Sequence, residues 1–395
     1  MLRALFAPLF ALPRSVWLLG LISLVNDSAS ELVYPLVPLY LSGVLMAGPR
    51  VLGLIEGLAE ALASLLKLWA GVMVDRSGRS KPWVVSGYGL AGLARPLIAL
   101  VAGWPLLLAL RLADRVAKAV RAAPRDALLA ASIAPGQRGL AFGLHRAMDN
   151  AGAVIGPLLA WALLSAGVPL GRVFLWAIIP GLICLGLTLA VREAPPPAAA
   201  PSRFSWTLAG LPRPLRRYLV VVALFTLGNS SNMFLLLRAR ELGVAEAQVP
   251  LLWAAVSGVA ALFSVPLGGL SDRVGRVRLL VVGYLAYAAF YVGMAAWAEP
   301  GWRLYLLFGV YGVFMAATEG VERALLADLT PPAQRGTAFG WLNLTMGAML
   351  LPASLLFGWL WEGLSATIAF GFSAGCALAA ALLLTAWVRP ASTMR

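Results

Sequence analysis

The chain has 395 residues, of which 61% are hydrophobic and only 12% charged. A water-soluble domain carries roughly a quarter charged residues, so this composition excludes a globule that solvates its own surface and calls for lipid over much of the outside. The net charge of +14 would fit a nucleic-acid partner, but the basic residues fall in alternate loops rather than on one face, which argues against it.

A bilayer crossing needs roughly 20 apolar residues. Hydropathy and its breaks predict twelve such spans: 15–42, 50–74, 82–101, 104–124, 139–166, 170–191, 215–237, 248–270, 278–297, 302–327, 337–361 and 365–388. Span 1 is too long for a cleavable signal and carries Asn26, Asp27 and Glu31. Asp27 and Glu31 are four apart and share a helix face. Two carboxylates on one desolvated face make protonation at working pH available, which proton coupling requires. The plainer alternative is that both sit wet at the outer helix end. Span 2 places Glu56, Glu60 and Lys67 on one stripe. Glu56 falls near the expected outer mouth, while Glu60 and Lys67 lie deeper and are the better candidates.

Span 4 carries Arg111, Asp114, Arg115, Lys118, Arg121, Arg125 and Asp126. From Lys118 onward this stripe reads as interfacial. The deeper Arg111, Asp114 and Arg115 form either a structural Arg–Asp pair or a site for an anionic group. Span 5 begins with His145, Arg146, Asp149 and Asn150. Arg146 and Asp149 are spaced to pair on one face, and His145 reads as a local hydrogen-bonding group. Cys184 and Cys376 sit within apolar spans as small packing or lipid-facing residues. Span 7 offers the polar patch Asn229, Ser230, Ser231, Asn232, which resembles the Asn26-Asp27-Ser28 patch of span 1. Span 10 carries Glu319, Glu322 and Arg323, and span 11 carries Asn343 and Thr345. Ionisable residues at mid-bilayer are costly and line cavities or pair with each other. These side chains are therefore the candidates for proton coupling and for the substrate cavity.

The chain repeats itself. Gly71-Val-Met-Val-Asp75-Arg76-Ser-Gly78-Arg79 recurs as Gly268-Gly-Leu-Ser-Asp272-Arg273-Val-Gly275-Arg276, an offset of 197 from Gly71 to Gly268. Pro135–Gly143 recurs as Pro332–Gly340, and Ala127-Leu128-Leu129-Ala130 as Ala324-Leu325-Leu326-Ala327, at the same offset. The chain thus reads as two copies of a six-helix unit, 1–192 and 215–395, joined by a Pro- and Arg-rich linker at 193–214. At the repeat offset Arg125-Asp126 corresponds to Glu322-Arg323, and these pairs are placed to bridge the two halves on the cytoplasmic side. Arg and Lys concentrate in the loops around Arg76, Arg121–Arg138, Arg192–Arg217 and Arg273–Arg278. The positive-inside rule then puts both termini and the linker in the cytoplasm of an inner-membrane, multi-pass protein.

The duplicated Gly-x-x-x-Asp-Arg-x-Gly-Arg resembles the signature loop between helices 2 and 3 of the major facilitator superfamily. Topology, length and central linker extend the resemblance over the whole chain. It implies an all-α membrane fold of twelve helices in two pseudo-symmetric six-helix bundles, with helices 1, 4, 7 and 10 around a central cavity. It also implies that Gly71, Asp75, Arg76, Gly78, Arg79, Gly268, Asp272, Arg273, Gly275 and Arg276 form cytoplasmic gates. Gly152-x-x-x-Gly156-Pro157 is similar to part of the helix 5 motif of proton-coupled exporters, but the two glycines that usually follow are Leu158 and Leu159 here. Arg111 sits where the family often has a buried arginine, with Asp114-Arg115 in place of its Gln-Gly.

The resulting expectation is a secondary transporter that exports a small organic solute (a drug, metabolite or metallophore) in exchange for protons, as a monomer by family default. The alternatives are import of an organic anion, favoured by Arg111, Arg115 and Lys67, and movement of an amphiphile or lipid. An enzyme is not expected, since the sequence offers no nucleophile–base set or metal-ligand cluster. Without a phosphate-binding loop, no cofactor is expected and the proton gradient is the expected drive.

Overall fold

The computed structural model describes residues 12–77, 80–132, 138–191, 208, 210–331 and 335–388. Among these residues the chain is helical and has no strand. The helices form twelve stretches: α1 (Arg14–Gly43), α2 (Pro49–Ser77), α3 (Lys81–Leu100), α4 (Trp104–Ala131), α5 (Arg138–Ser165), α6 (Leu170–Ala190), α7 (Arg213–Glu241), α8 (Val249–Val274), α9 (Arg276–Ala296), α10 (Trp302–Asp328), α11 (Arg335–Gly363) and α12 (Ala366–Trp387). Among the described residues, nine are long and apolar enough to cross a membrane. The other three are α2 and α4, which hold the ionisable stripes, and α8, whose apolar stretch is Val249–Ser264.

Local sequence explains where the helices begin. Proline occupies the first turn of α3, α4, α7 and α8, where its missing N–H leaves no hydrogen bond unmade. The Ser365 hydroxyl caps α12 by accepting from Ile368 N at 3.2 Å. The structure departs from hydropathy at α4, which runs on through Pro124 to Ala131. Hydropathy falls at the charged stripe, but charges spaced three and four apart lie along one helical face and do not end a helix. Large apolar side chains such as Leu182, Leu262 and Leu382 stay exposed, as a lipid-facing surface requires.

The chain divides into two compact units, Met1–Tyr40 with Leu65–Pro201, and Leu41–Ser64 with Ser202–Arg395. Packing inside the units repeats: α1 meets α5 and α6, and α3 meets α4 and α6, as α7 meets α11 and α12, and α9 meets α10 and α12. The segment Leu41–Ser64 belongs by sequence to the first copy and packs with the second unit. Glycine makes that possible. A Cβ on Gly57 would come within 3.0 Å of the Leu351 side chain, and one on Gly358 within 2.6 Å of the Pro49 carbonyl. Such contacts let the backbones of α2 and α11 approach as only small residues allow.

Candidate functional site

In the first unit, α5 presses its glycines onto the face of α1 that carries the two carboxylates. A Cβ at Gly152 would lie 2.6 Å from the Leu24 carbonyl and 3.0 Å from Asp27 Cβ. One at Gly156 would lie 2.6 Å from both Ser28 O and Leu32 N. The glycine pair thus fixes the environment of Asp27 and Glu31, both half-buried, by letting α5 sit against them.

A polar network runs from Asp27 across three helices. Asn26 donates from Nδ2 to Asp27 Oδ1 at 2.8 Å. The Asn26 side-chain oxygen accepts from Arg95 Nη1 at 3.0 Å, and its main-chain carbonyl accepts from the same nitrogen at 3.1 Å. Arg95 Nε donates to Asp114 Oδ1 at 2.9 Å, and Arg111 Nη1 lies 3.8 Å from Asp114 Oδ2. Arg95 and Asp114 are only 3% and 4% exposed. A desolvated ion pair needs this completeness of hydrogen bonding to persist. The arginine also fixes the Asn26 amide with its NH2 towards Asp27.

A second network lies one turn earlier on the same face of α1, where Ser23 meets α5. Ser23 donates to Asp149 Oδ1 and accepts from Arg125 Nη1 at 3.3 Å. His145 Nδ1 is 3.6 Å from Asp149 Oδ2. Arg125 also pairs with Asp126 at 2.9 Å. Arg121 is buried and its guanidinium lies 4.8 Å from the Tyr88 ring centroid. The structure thus brings Asn26, Asp27, Arg111, Asp114, Arg125 and Asp149 into linked networks. Arg115 is buried beside Asp114 on α4, Asn150 is half-buried, and Arg146 is exposed. Sequence reasoning passed over Arg95, Ser23 and Tyr88. The available signal for Arg95 was a lone arginine inside an otherwise apolar span.

The second unit is built differently. Helix α7 breaks at Asn229–Ser231, and the freed backbone groups find side chains. Tyr287 donates to Gly228 O at 2.9 Å and to Asn229 Oδ1 at 3.3 Å, and Tyr311 donates to Asn232 Oδ1. Ser231 Oγ accepts from Met233 N at 3.3 Å and donates to Glu56 Oε2 at 3.4 Å. Glu56 is 1% exposed, so this carboxyl is buried and not solvated as its place near the expected outer mouth would allow. The break in α7 places a hydroxyl on this buried carboxyl. Glu60 and Lys67 are half-buried on α2, Asn343 is half-buried on α11, and Glu319 is exposed on α10. Glu322 is buried and accepts from Tyr284 at 2.9 Å, whereas Arg323 is exposed.

Of the expected gates, Gly71 lies in α2, while Gly78, Arg79 and the side chains of Asp75, Arg76 and Asp272 lie outside the described residues. In the second copy Gly268 lies in α8, Arg273 is exposed near its end, and Gly275 joins α8 to α9. Gly275 has φ +97°, a conformation side chains rarely tolerate. Arg276 pairs with Asp328 at the end of α10.

The family model of the Major Facilitator Superfamily matches residues 19–238 and 218–394. The chain belongs to the major facilitator superfamily. It is a multi-pass membrane protein with the transporter fold of that family, not an enzyme. It is 33% identical over 380 residues to an uncharacterized MFS-type transporter of Methanocaldococcus jannaschii, covering 94% of each chain. It is 27% identical to the multidrug resistance protein MdtG of Enterobacter lignolyticus, covering 76% of this chain and 75% of that one. Among solved structures, a peptide transporter superposes with TM-score 0.80 at 13% identity, covering 95% of this chain and 94% of that one. The nucleoside transporter NupG superposes with TM-score 0.80 at 13% identity, covering 95% and 100%. At these identities the superpositions carry the fold alone.

Proposed function

We propose that this major facilitator transporter exports small organic solutes across the inner membrane in exchange for protons, with Asp27 as the proton carrier. The observation that carries this reading is the seat of Asp27: a half-buried carboxylate held by Asn26 and packed under Gly152 of α5. The similarity to a multidrug resistance protein supports export of small molecules.

When Asp27 is ionised, Asn26 Nδ2 donates to it, and Arg95 keeps Asn26 from turning away. A proton on Asp27 removes the charge and leaves the Arg95–Asp114 pair intact, so the change stays local to α1 and its contact with α5. Gly152 and Gly156 make that contact tight enough to transmit it. The six-helix copies 1–192 and 215–395, joined at 193–214, are the halves that alternate access, with both termini cytoplasmic and the monomer as the working unit. The helix ends at Asp75 and Asp272 are the cytoplasmic gates of this scheme, with Arg125-Asp126 and Arg323 beside them.

A second reading has its own observation. Arg95, Arg111, Arg115 and Arg121 are all buried in the first unit near Asp114, a concentration of cationic groups suited to an organic anion. Proton flux in energised inverted vesicles tests both readings, with a panel of lipophilic cations, organic anions and metal chelators, comparing wild type with Asp27→Asn. Collapse of the proton gradient by one solute class in wild type alone supports proton-coupled export and reveals the solute's charge. If no compound moves protons while labelled anions still equilibrate, export fails and the arginine cluster becomes the substrate site.

A further inference from the structure

The second unit holds a carboxyl group that the Asp27 scheme leaves without a chemical task. Glu322 lies in α10 at 8% exposure. Its Oε1 accepts from the Tyr284 hydroxyl at 2.9 Å, and Tyr218 donates to its main-chain carbonyl at 3.3 Å. Phe225 stacks on Tyr284 at a centroid distance of 4.0 Å and an interplanar angle of 6°, closing the site with apolar surface. The other titratable groups facing it are Tyr218 on α7, Tyr284 on α9, and Glu319 and Arg323 on its own helix. Glu319 and Arg323 are exposed, and among the described residues no ion pair reaches the Glu322 carboxyl.

A carboxylate in such a place has lost its water and gained one hydrogen bond. That exchange is unfavourable for the charged form unless a cation or a proton neutralises it. The surroundings are a phenol and aromatic rings, which do not form an oxygen cage for a metal ion. A proton needs only the carboxyl oxygen itself. The hydroxyls also continue away from Glu322. Tyr284, Tyr287 and Tyr291 share one stripe of α9 at spacings of three and four. Tyr287 reaches the break in α7 at Gly228 and Asn229.

We propose that Glu322 is a proton-binding site of the second half, separate from Asp27 and coupled by hydrogen bond to Tyr284. Uptake forms one O–H bond on a carboxyl oxygen with a proton from water. Release breaks that bond and returns the proton to water, and no other bond changes. The site deepens the proton-coupled reading and rests on it for its use in transport, whereas proton binding is measurable without any substrate.

The test is infrared difference spectroscopy of the purified full-length protein on a pH step. It compares wild type with Glu322→Gln, Glu319→Gln, Tyr284→Phe and Asp27→Asn. The expected result is a carboxylic-acid C=O band accompanied by a tyrosine signal. The band component is lost in Glu322→Gln and kept in Glu319→Gln and Asp27→Asn. Tyr284→Phe removes the tyrosine signal and keeps the carboxyl band. Glutamine preserves size and an acceptor for Tyr284, and unchanged helical circular dichroism confirms the fold. A band that survives intact in Glu322→Gln overturns the proposal. A band lost only in Asp27→Asn also overturns it, while leaving the Asp27 reading standing. Proton flux that survives Asp27→Asn sinks the Asp27 reading and leaves the Glu322 band to be judged by itself.

Discussion

The two units share a helical plan but fill their interiors with different chemistry. The first unit uses charge: Arg95 against Asp114, Ser23 and His145 against Asp149, and Asn26 against Asp27. The second uses phenols and amides: Tyr287 on Gly228 and Asn229, Tyr311 on Asn232, and Tyr284 on Glu322. The duplicated loop motifs kept their sequence, whereas the helix interiors did not. Packing contacts such as α3 on α4 and α9 on α10 need only shape, so the interior polar groups were free to diverge once the fold was set. Charged networks are sensitive to proton state, and hydroxyl networks are adaptable hydrogen-bonding surfaces. Under the proposed function, coupling through Asp27 belongs to the first unit.

The largest expected effect comes from breaking the charged interior. Arg95→Leu leaves Asp114 buried without its closest partner and is expected to cost about 3–5 kcal/mol of stability. Thermal unfolding in detergent measures this. The double variant Arg95→Leu with Asp114→Leu recovers much of the loss if the pair is a matched unit. Recovery that fails to appear would mean that Arg111 or Asn26, not the pair, sets the stability.

Next in size is the α1–α5 seat. Gly156→Val pushes a branched side chain into the Ser28 and Leu32 backbone and is expected to cost about 1–3 kcal/mol, as overpacking does. Transport falls with it, because α5 is displaced from Asp27. The same change at Gly371, around which a Cβ meets nothing within 4 Å, leaves both stability and transport near wild type.

The sequence made some of this legible and hid the rest for definable reasons. Twelve helices follow from hydropathy because lipid imposes a length and a composition on each crossing. Asp27 and Asp114 stand out because a charge in an apolar run is costly. Arg95 is likewise a lone charge in an apolar span, but its place in the last α-helical turn of α3, beside Pro96, lets it read as interfacial. Its partner is 19 residues away on the next helix. The break in α7 appears in sequence as the polar patch Asn229–Asn232, but a polar patch does not reveal interruption of the helix. The burial of Glu56 was hidden for the same reason, because a hydroxyl that meets it belongs to Ser231 at that break. Tyr284 and Tyr287 pass as aromatic filling of an apolar span until their hydroxyls are seen to meet carboxyl, carbonyl and amide oxygens.

Smaller effects are expected in the second unit. Tyr284→Phe removes one neutral donor and is expected to cost about 0.5–1.5 kcal/mol by thermal unfolding. A loss as large as that of Arg95→Leu would erase the distinction between the two interiors. Smallest is Asp328→Asn at the end of α10, which pairs with Arg276 at the start of α9. Its pairing with Arg276 is largely exposed and is expected to contribute no more than about 1 kcal/mol. If this pairing serves the second gate, transport rates change in this variant while the melting temperature barely moves.

The most direct test of coupling through the first unit is to separate proton-driven flux from exchange in proteoliposomes containing the Asp27→Asn variant. Once the inverted-vesicle panel has named a transported solute class, its labelled member is followed with and without a proton gradient. The expected result is loss of uphill, proton-driven movement with downhill exchange retained, showing a folded carrier that has lost its drive. Uphill movement at the wild-type rate would contradict the account and place the coupling proton elsewhere in the molecule.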